Sequence, residues 1–372
     1  MPVACREIFK LVEELAPLYL AESWDNCGLQ VGDPALAVGK VLLALDVDMA
    51  AAEEAAGTGA GLIISHHPLI FQSFKSFDLS TPNGELVAYL IQKNLVVYSA
   101  HTNLDKAAGG VGDALAEKLG LLNVSVLPLG QRERLYKLAV YVPATHITAV
   151  RSSICEAGAG WIGKYSHCTF AAAGTGTFLP REGAKPYLGQ PGRLEQVEEL
   201  RLETVVPQSK LARVIEAMRK SHPYEEIAYD IYRLENGGLP VGAGRLGDVA
   251  GEVTFGEFIE AVKERLGVKA LRAGGRDGEA VKRVAVCGGA GGELWPAALR
   301  AGADTLVTGD IKYHTAREML RAGLKFIDAG HFGTEAVVLE KLKNFLTERC
   351  AEMGTGVEFR VFSGEKDPFR YC

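Results

Sequence analysis

The sequence predicts an α/β protein of two related lobes, with a smaller ferredoxin-like unit set between them. Three observations carry that expectation. Short, uninterrupted apolar runs alternate with helical patterns near both ends of the chain, as in parallel sheets buried on both faces. A shift of 243 positions lays residues 41–45 on 284–288 and residues 59–65 on 302–308, with no gap between the matches, so the lobes read as a diverged duplication. Between the copies, strand, Val-Pro, helix and strand follow one another twice, at Val142-Pro143 and Val206-Pro207. That is the βαββαβ order of a split-βαβ unit.

Taken in order, residues 2–18 carry Ile8, Leu11, Val12 and Leu15 at helical spacing among Arg6, Glu7, Glu13 and Glu14. This is an amphipathic helix and not a signal peptide. Residues 24–32, Trp-Asp-Asn-Cys-Gly-Leu-Gln-Val-Gly, are either a turn anchored by a core Trp24 or the lining of a pocket. Strand 40–45 stops at Asp46 and Asp48, a helix covers 49–56, and strand 62–65 ends in His66-His67-Pro68. An aromatic loop (69–77), a helix (85–93), a strand (95–100) ending in His101-Thr-Asn-Leu-Asp105, and a helix (109–119) complete the first lobe.

In the middle, strands are expected at 136–142, 168–172, 196–206 and 226–234, with helices at 145–156 and 209–220. A Gly/Pro-rich loop, 174–192, joins the halves, and 236–244 reads as the linker out. The second lobe has a helix at 254–266, strands at 283–287, 305–308 and 325–328, and helices at 293–300 and 336–346. The domain boundaries are therefore set at 1–128, 129–245 and 246–372.

The totals exclude several classes. A chain of 372 residues with 48% hydrophobic and 23% charged residues has ample length for sizeable cores. Its net charge of −6 argues against a broad nucleic-acid surface. Seven scattered cysteines, the last Cys372, form no Cys-x-x-Cys pair, so neither a disulfide framework nor a thiolate zinc site is signalled and a reducing cytoplasm fits. No apolar stretch reaches membrane-spanning length. There is no Ser-His-Asp arrangement and no reactive-cysteine context.

In parallel α/β sheets ligands gather beyond the carboxyl ends of the strands, and here those ends are rich in metal-ligating side chains. Strand two ends in His66 and His67, strand three is followed by His101 and Asp105, and the last strand by His331 and Glu335. His331 and Glu335, four apart, share a face if a helix begins at His331. Three imidazoles and two carboxylates suit a dinuclear site: His67 with Asp105 on one metal, His66 with His331 on the other, Glu335 shared. Nitrogen and oxygen ligands without sulfur leave Zn²⁺, Fe, Mn²⁺ and Co²⁺ open. Metals about 3.5 to 4 Å apart activate a bridging water and clamp an anionic substrate oxygen. The competing reading is separate strand-end clusters that cap helices or turns.

Other residues stay open. His101 is a supporting group, a proton shuttle or a core histidine. Asp310 and His314 line the same cleft, or are a helix cap and a surface residue. The glycines at 288–292 cradle a phosphate or make a turn, and no P-loop Lys-Ser/Thr follows them. His146, His167 and His222 read as ordinary residues of the middle unit.

With these segments assembled, the chain resembles the GTP cyclohydrolase I type 2-like family, also called the Nif-three-like dinuclear-metal hexameric proteins. The resemblance rests on residues 24–32, Ser65-His-His-Pro-Leu-Ile-Phe71, His101-Thr-Asn-Leu-Asp105, Thr308-Gly-Asp-Ile-Lys-Tyr-His314 and Gly330-His-Phe-Gly-Thr-Glu335. It implies metal ligands at His66, His67, Asp105, His331 and Glu335, with Glu335 at the centre of catalysis. It also implies two divalent ions per subunit, zinc first among them, a toroidal homohexamer, and a PII/CutA-like middle unit. The implied activity is metal-dependent hydrolysis of a nucleotide or phosphorylated small molecule. The alternative is a non-catalytic, metal-binding regulatory assembly.

Overall fold

The structure is a computed structural model that describes residues 1–72 and 76–370. Ser73, Phe74 and Lys75, part of the expected 69–77 loop, and Cys372 lie outside the described residues. The chain forms two compact units, residues 1–129 with 241–372, and residues 130–240.

The first unit holds two larger sheets. Apolar strands Lys40–Ala44, Leu62–Ser65 and Val96–Ser99 pair in parallel, with Glu358–Val361 parallel on one side and Gly28–Val31 antiparallel on the other. In the second sheet Ala280–Val286, Thr305–Thr308 and Lys325–Asp328 make the same parallel trio. Arg272–Gly274, Arg245–Thr254 and Leu122–Val126 extend it antiparallel. Most of the trio residues are buried because helices cover the sheets, which is why their sequences are runs and not alternations.

Two strands depart from the expected division. Leu122–Val126 joins the second sheet and Glu358–Val361 the first, so each half of the sequence contributes an edge strand to the other's sheet. Both are short and largely exposed, and neither carries an apolar run that would announce it. Gly28–Val31 is likewise a strand where the glycines suggested a turn. Helix Val337–Glu352 outlasts its expected end because Leu346 and Cys350 continue the buried stripe. Pro296 sits in the first turn of helix Trp295–Arg300, where its missing N–H costs nothing.

Within this unit Arg245 ties the strand Arg245–Thr254 to the helix Val111–Lys118. Its guanidinium is buried, donates to both Asp113 carboxylate oxygens at 2.8 Å, and also reaches the carbonyls of Ala107, Gly242 and Gly244. A buried charge is tolerable when paired and hydrogen-bonded in this way.

The second unit runs Arg132–Pro143, helix Ile147–Glu156, Thr169–Phe178, Glu195–Pro207, helix Leu211–Ser221 and Tyr229–Pro240. Its strands lie fourth-first-third-second, all antiparallel, the split-βαβ arrangement. Leu138, Val140, Leu202, Val150, Ile154, Val214 and Met218 form its core. The strands run further than the turn residues suggest. Gly174 and Gly176 pair opposite Glu199 and Val197, and Gly237 and Pro240 pair opposite Arg134 and Arg132 across register shifts. These residues lie on edge strands, where glycine and proline are tolerated. No described helix is long and apolar enough to cross a membrane.

Candidate metal centre

The end of strand Leu62–Ser65 stays in the ladder: the His66 and His67 amides donate to the Ala44 and Leu45 carbonyls at 3.0 and 2.8 Å. The two imidazoles stay close, with ring centroids 5.0 Å apart. His66 is 1% exposed. Its Nδ1 lies 2.9 Å from the Ala100 carbonyl, which fixes the proton there. Its Nε2 stands 3.6 Å from Asp105 Oδ1 and 3.7 Å from Glu335 Oε1, too far for hydrogen bonding, and has no partner. A buried imidazole nitrogen with a free lone pair and two carboxylates beyond bonding distance fits a cation between them.

His67 has partners of its own. Its Nδ1 is 2.9 Å from Asp46 Oδ1, and its Nε2 is 3.0 Å from Glu335 Oε2. The short helix His331–Glu335 does begin at His331 and puts both of its functional residues on one face. His331 Nε2 is 3.1 Å from Glu335 Oε2 and 3.4 Å from His67 Nε2, while its Nδ1 is 2.7 Å from Asp310 Oδ2. Donors about 2.0–2.1 Å from one tetrahedral ion lie roughly 3.3 Å apart, so this trio has the spacing of a single site.

The donors therefore group as His66, Asp105 and Glu335 on one side, and His67, His331 and Glu335 on the other. This corrects the expected pairing of His67 with Asp105 and of His66 with His331. His66 Nε2 faces Glu335 Oε1 at 3.7 Å and His67 Nε2 faces Oε2 at 3.0 Å, so the adjacent histidines meet different oxygens of one carboxylate.

His101 joins the cluster: its donor atom lies within 4.8 Å of those of His66 and His67. Its Nδ1 is 2.9 Å from Asp25 Oδ1, and Asp25 Oδ2 accepts from the Thr102 amide at 3.0 Å. Every histidine of the centre thus has Nδ1 held by an acceptor, which leaves Nε2 for a metal or a proton. Sequence reasoning missed Asp25 and Asp46 as the orienting groups. The signal was there in part, since the first strand visibly stops at Asp46. Asp310 lines the cleft through His331, whereas His314 is exposed on helix Tyr313–Arg321 beside Tyr313. Of the glycines at 288–292, Gly289 and Gly291 have their amides engaged, donating to Thr334 and Thr308. They serve close approach instead, because a Cβ on Gly289 would lie 2.1 Å from Glu335 Oε1. At the rim Trp24, 59% exposed, stands with its ring 5.8 Å from Phe71 and 6.2 Å from His101. It lines the cleft and is not a core anchor.

The electrostatics match a site built for positive charge. Burial would lower His67, but its hydrogen bonds to Asp46 and Glu335 push it up to about 10. Glu335, helped by Asp310 and against burial, pushes His331 up to about 9. Burial opposes ionisation of Glu335, yet the surrounding histidines hold its carboxyl well below the usual range. Burial raises Asp105 to about 6. Without a metal, protons on the imidazoles supply the charge that the carboxylates require.

Comparison with known proteins agrees with the residue-level resemblance. The family model described as Duf34/NIF3 (NGG1p interacting factor 3) matches residues 3–368. The chain is 43% identical over 366 residues to a Bacillus subtilis protein named GTP cyclohydrolase 1 type 2 homolog, covering 98% of each. It is 37% identical to a Mycobacterium leprae protein of the same name, covering 99% of this chain and 96% of that one. A crystal structure of a Bacillus cereus protein related to NIF3 superposes with a TM-score of 0.87 at 42% identity, covering 99% of each chain. A Staphylococcus aureus crystal structure follows with a TM-score of 0.75 at 30% identity, covering 100% of this chain and 99% of that one. The chain belongs to the DUF34/NIF3 family.

Proposed function

We propose that this protein is a dinuclear-metal hydrolase acting on a nucleotide or a similar phosphorylated small molecule. The observation that carries the reading is the common orientation of four imidazoles: each Nδ1 is engaged by Ala100, Asp46, Asp25 or Asp310. Nothing in a merely structural polar cluster requires that regularity. His66, Asp105 and Glu335 would hold one divalent ion, and His67, His331 and Glu335 a second, zinc being the first choice for this donor set. Bound there, the pair would supply Lewis acidity and lower the pKa of water.

The chain's own groups have distinct tasks in this reading. Glu335, whose two oxygens face His66 and His67, would contribute to both sites. Asp46 and Asp310 orient the His67 and His331 rings. His101, kept in one tautomer by Asp25, is the group placed to take or return a proton, one of the roles the sequence left open. Trp24 and Phe71 give the cleft an apolar side. The nucleotide class comes from the names of the relatives, as does ring-opening hydrolysis of a purine as one form of the reaction. We further assign the protein to the cytoplasm as a homohexamer, with the middle unit a PII/CutA-like module.

The test is elemental analysis of protein never exposed to a chelator or a nickel column. It should be followed by assays on a panel of nucleotides and phosphoesters beside Glu335→Gln and Asp105→Asn. Two metals per chain and turnover lost in both variants are expected. Full metal content with no metal-dependent turnover on any substrate would replace this reading with the regulatory one, which the separate cavity of the middle unit favours.

A further inference from the structure

The middle unit has a cavity of its own, about 560 Å³, under the 179–192 segment and remote in sequence from every residue of the metal centre. Its wall is aromatic and acidic. Tyr224 stands between Phe178 and Tyr187, with ring centroids 6.3 and 6.1 Å apart and the planes tilted by 57° and 43°, like adjoining sides of a box. Two histidines brace these rings. His222 meets Tyr224 edge-on at 5.0 Å and His146 meets Tyr187 edge-on at 5.5 Å.

His222 is itself held on both sides. Its Nε2–H donates to the Tyr141 carbonyl at 3.0 Å, and its Nδ1 accepts from the Tyr224 amide at 3.2 Å. The Tyr224 position is thereby keyed to the backbone. Its hydroxyl is enclosed beside the Glu199 carboxylate.

Charge sets the polarity of the cavity. The carboxylates of Glu199, Glu225 and Glu226 line it against one cation, Arg181. Glu225 is engaged by the Lys185 amide at 2.7 Å, which pins the covering segment. Glu199 projects over Gly176, where a Cβ would fall 2.2 Å from its Oε2. Glycine at that position makes room for the carboxylate to lie against the sheet beside the box.

Tyrosine faces and a half-buried carboxylate together attract a weakly hydrated organic cation through ring quadrupoles and direct charge. A phosphate or carboxylate ligand would meet three like charges instead. We propose that this cavity is a binding site for an organic cation, an alkylated ammonium or guanidinium carried on an apolar or aromatic body. The 560 Å³ of space exceeds what a bare ammonium head fills, hence the body.

The probes are benzyltrimethylammonium and choline, with 3,3-dimethyl-1-butanol as the uncharged isostere of choline. Binding to the full-length protein is followed by calorimetry and by saturation transfer to the N-methyl protons. The cations should bind, and the isostere should bind choline's site at least ~10-fold more weakly. Glu199→Gln, Gly176→Ala and Tyr187→Leu should each weaken benzyltrimethylammonium by roughly 5- to 10-fold. Thermal melting checks that the variants fold. Equal binding of choline and its isostere in the wild-type protein overturns the proposal whatever the variants do. So does an absence of cation binding in the millimolar range, or full affinity in folded Glu199→Gln. Preferential, Glu199-independent uptake of a neutral nucleoside would reassign the cavity to a flat base.

Discussion

The two parallel trios of the metal-bearing unit share a backbone plan and differ in what stands at their ends. In the first, strand two runs into His66 and His67. At the same shift in the second, strand two runs into Gly309 and Asp310, and Asp46 has its counterpart in Gly289. At the end of strand two the first trio supplies ligands and the second supplies clearance, while His331 and Glu335 follow the second trio's third strand. A Cβ on Gly309 would lie 2.7 Å from the Gly330 carbonyl carbon and the His331 nitrogen, and one on Gly289 would strike Glu335. Bare backbone at these points lets the 330–335 turn settle against its own sheet and project His331 and Glu335 toward the histidines of the other. The two trios share a plan and divide the ligands, His66, His67 and Asp105 coming from the first and His331 and Glu335 from the second.

The strongest test of that division removes the shared group. Glu335→Ala should cost both metals, dropping content from about two per chain to well under one and metal-dependent turnover by more than ~100-fold. His66→Ala should spare the His67–His331 position. If Glu335→Ala and His66→Ala lose metal equally, Glu335 is not the common ligand.

Next comes the clearance itself. Gly289 has φ +57° besides its contact with Glu335, so Gly289→Ala strains the backbone and displaces the carboxylate together. Metal affinity should fall by ~10- to 100-fold at both positions without loss of fold. Titration of metal-free variant protein with zinc measures it, and an unchanged dissociation constant would show that the glycine is only a turn.

Much of this centre was legible beforehand, for a reason visible in particular residues. His66, His67, Asp105, His331 and Glu335 all lie at or just beyond the ends of buried strands, and such strands are the easiest elements to read. Their grouping was not legible, because it depends on which way adjacent side chains leave a strand that ends in mid-ladder. The orienting roles of Asp25 and Asp46 were hidden for a related reason: an aspartate in a loop or after a strand reads equally well as a cap or an orienting acceptor until its partner is seen. Strands Leu122–Val126 and Glu358–Val361 escaped because they are short and one-sided. In the middle unit, Gly174 and Gly176 signalled a loop, and a long antiparallel partner overrode it.

Asp310 sharpens the comparison from the second trio. It sits where the first trio has His67 and adopts φ +54°, a conformation that Asp and Asn tolerate better than most residues. Asp310→Asn therefore preserves the backbone while weakening the hold on His331 Nδ1, and Asp46→Asn does the same for His67. Each should lower metal affinity by about 10-fold at the His67–His331 position only. The His66–Asp105 position, oriented by Ala100, should keep its metal, so calorimetric titration should resolve one weakened and one unaltered site. Equal weakening of both would mean that the donors do not divide as their distances indicate.

The smallest effect is one of pH, and its sign follows from the raised imidazoles. In metal-free protein His67 is held near 10 and His331 near 9, both above the ordinary value of about 6.5 for an unfolded histidine. A raised folded-state pKa contributes stability that is fully present below the unfolded value and is lost as pH climbs through the folded one. The metal-free form should lose a few degrees of melting temperature between about pH 7 and pH 9.5 from this source. In the metal-loaded form the same imidazoles are neutral ligands, so that loss disappears and the gap between the two melting temperatures widens with pH. Loading should also release protons at about pH 7.5, from His67, His331 and the likewise raised His66, and fewer as pH rises. Calorimetry in buffers of different ionisation enthalpy counts them. Release that does not diminish toward pH 10 would mean that these histidines were not holding the charge before the metal arrived.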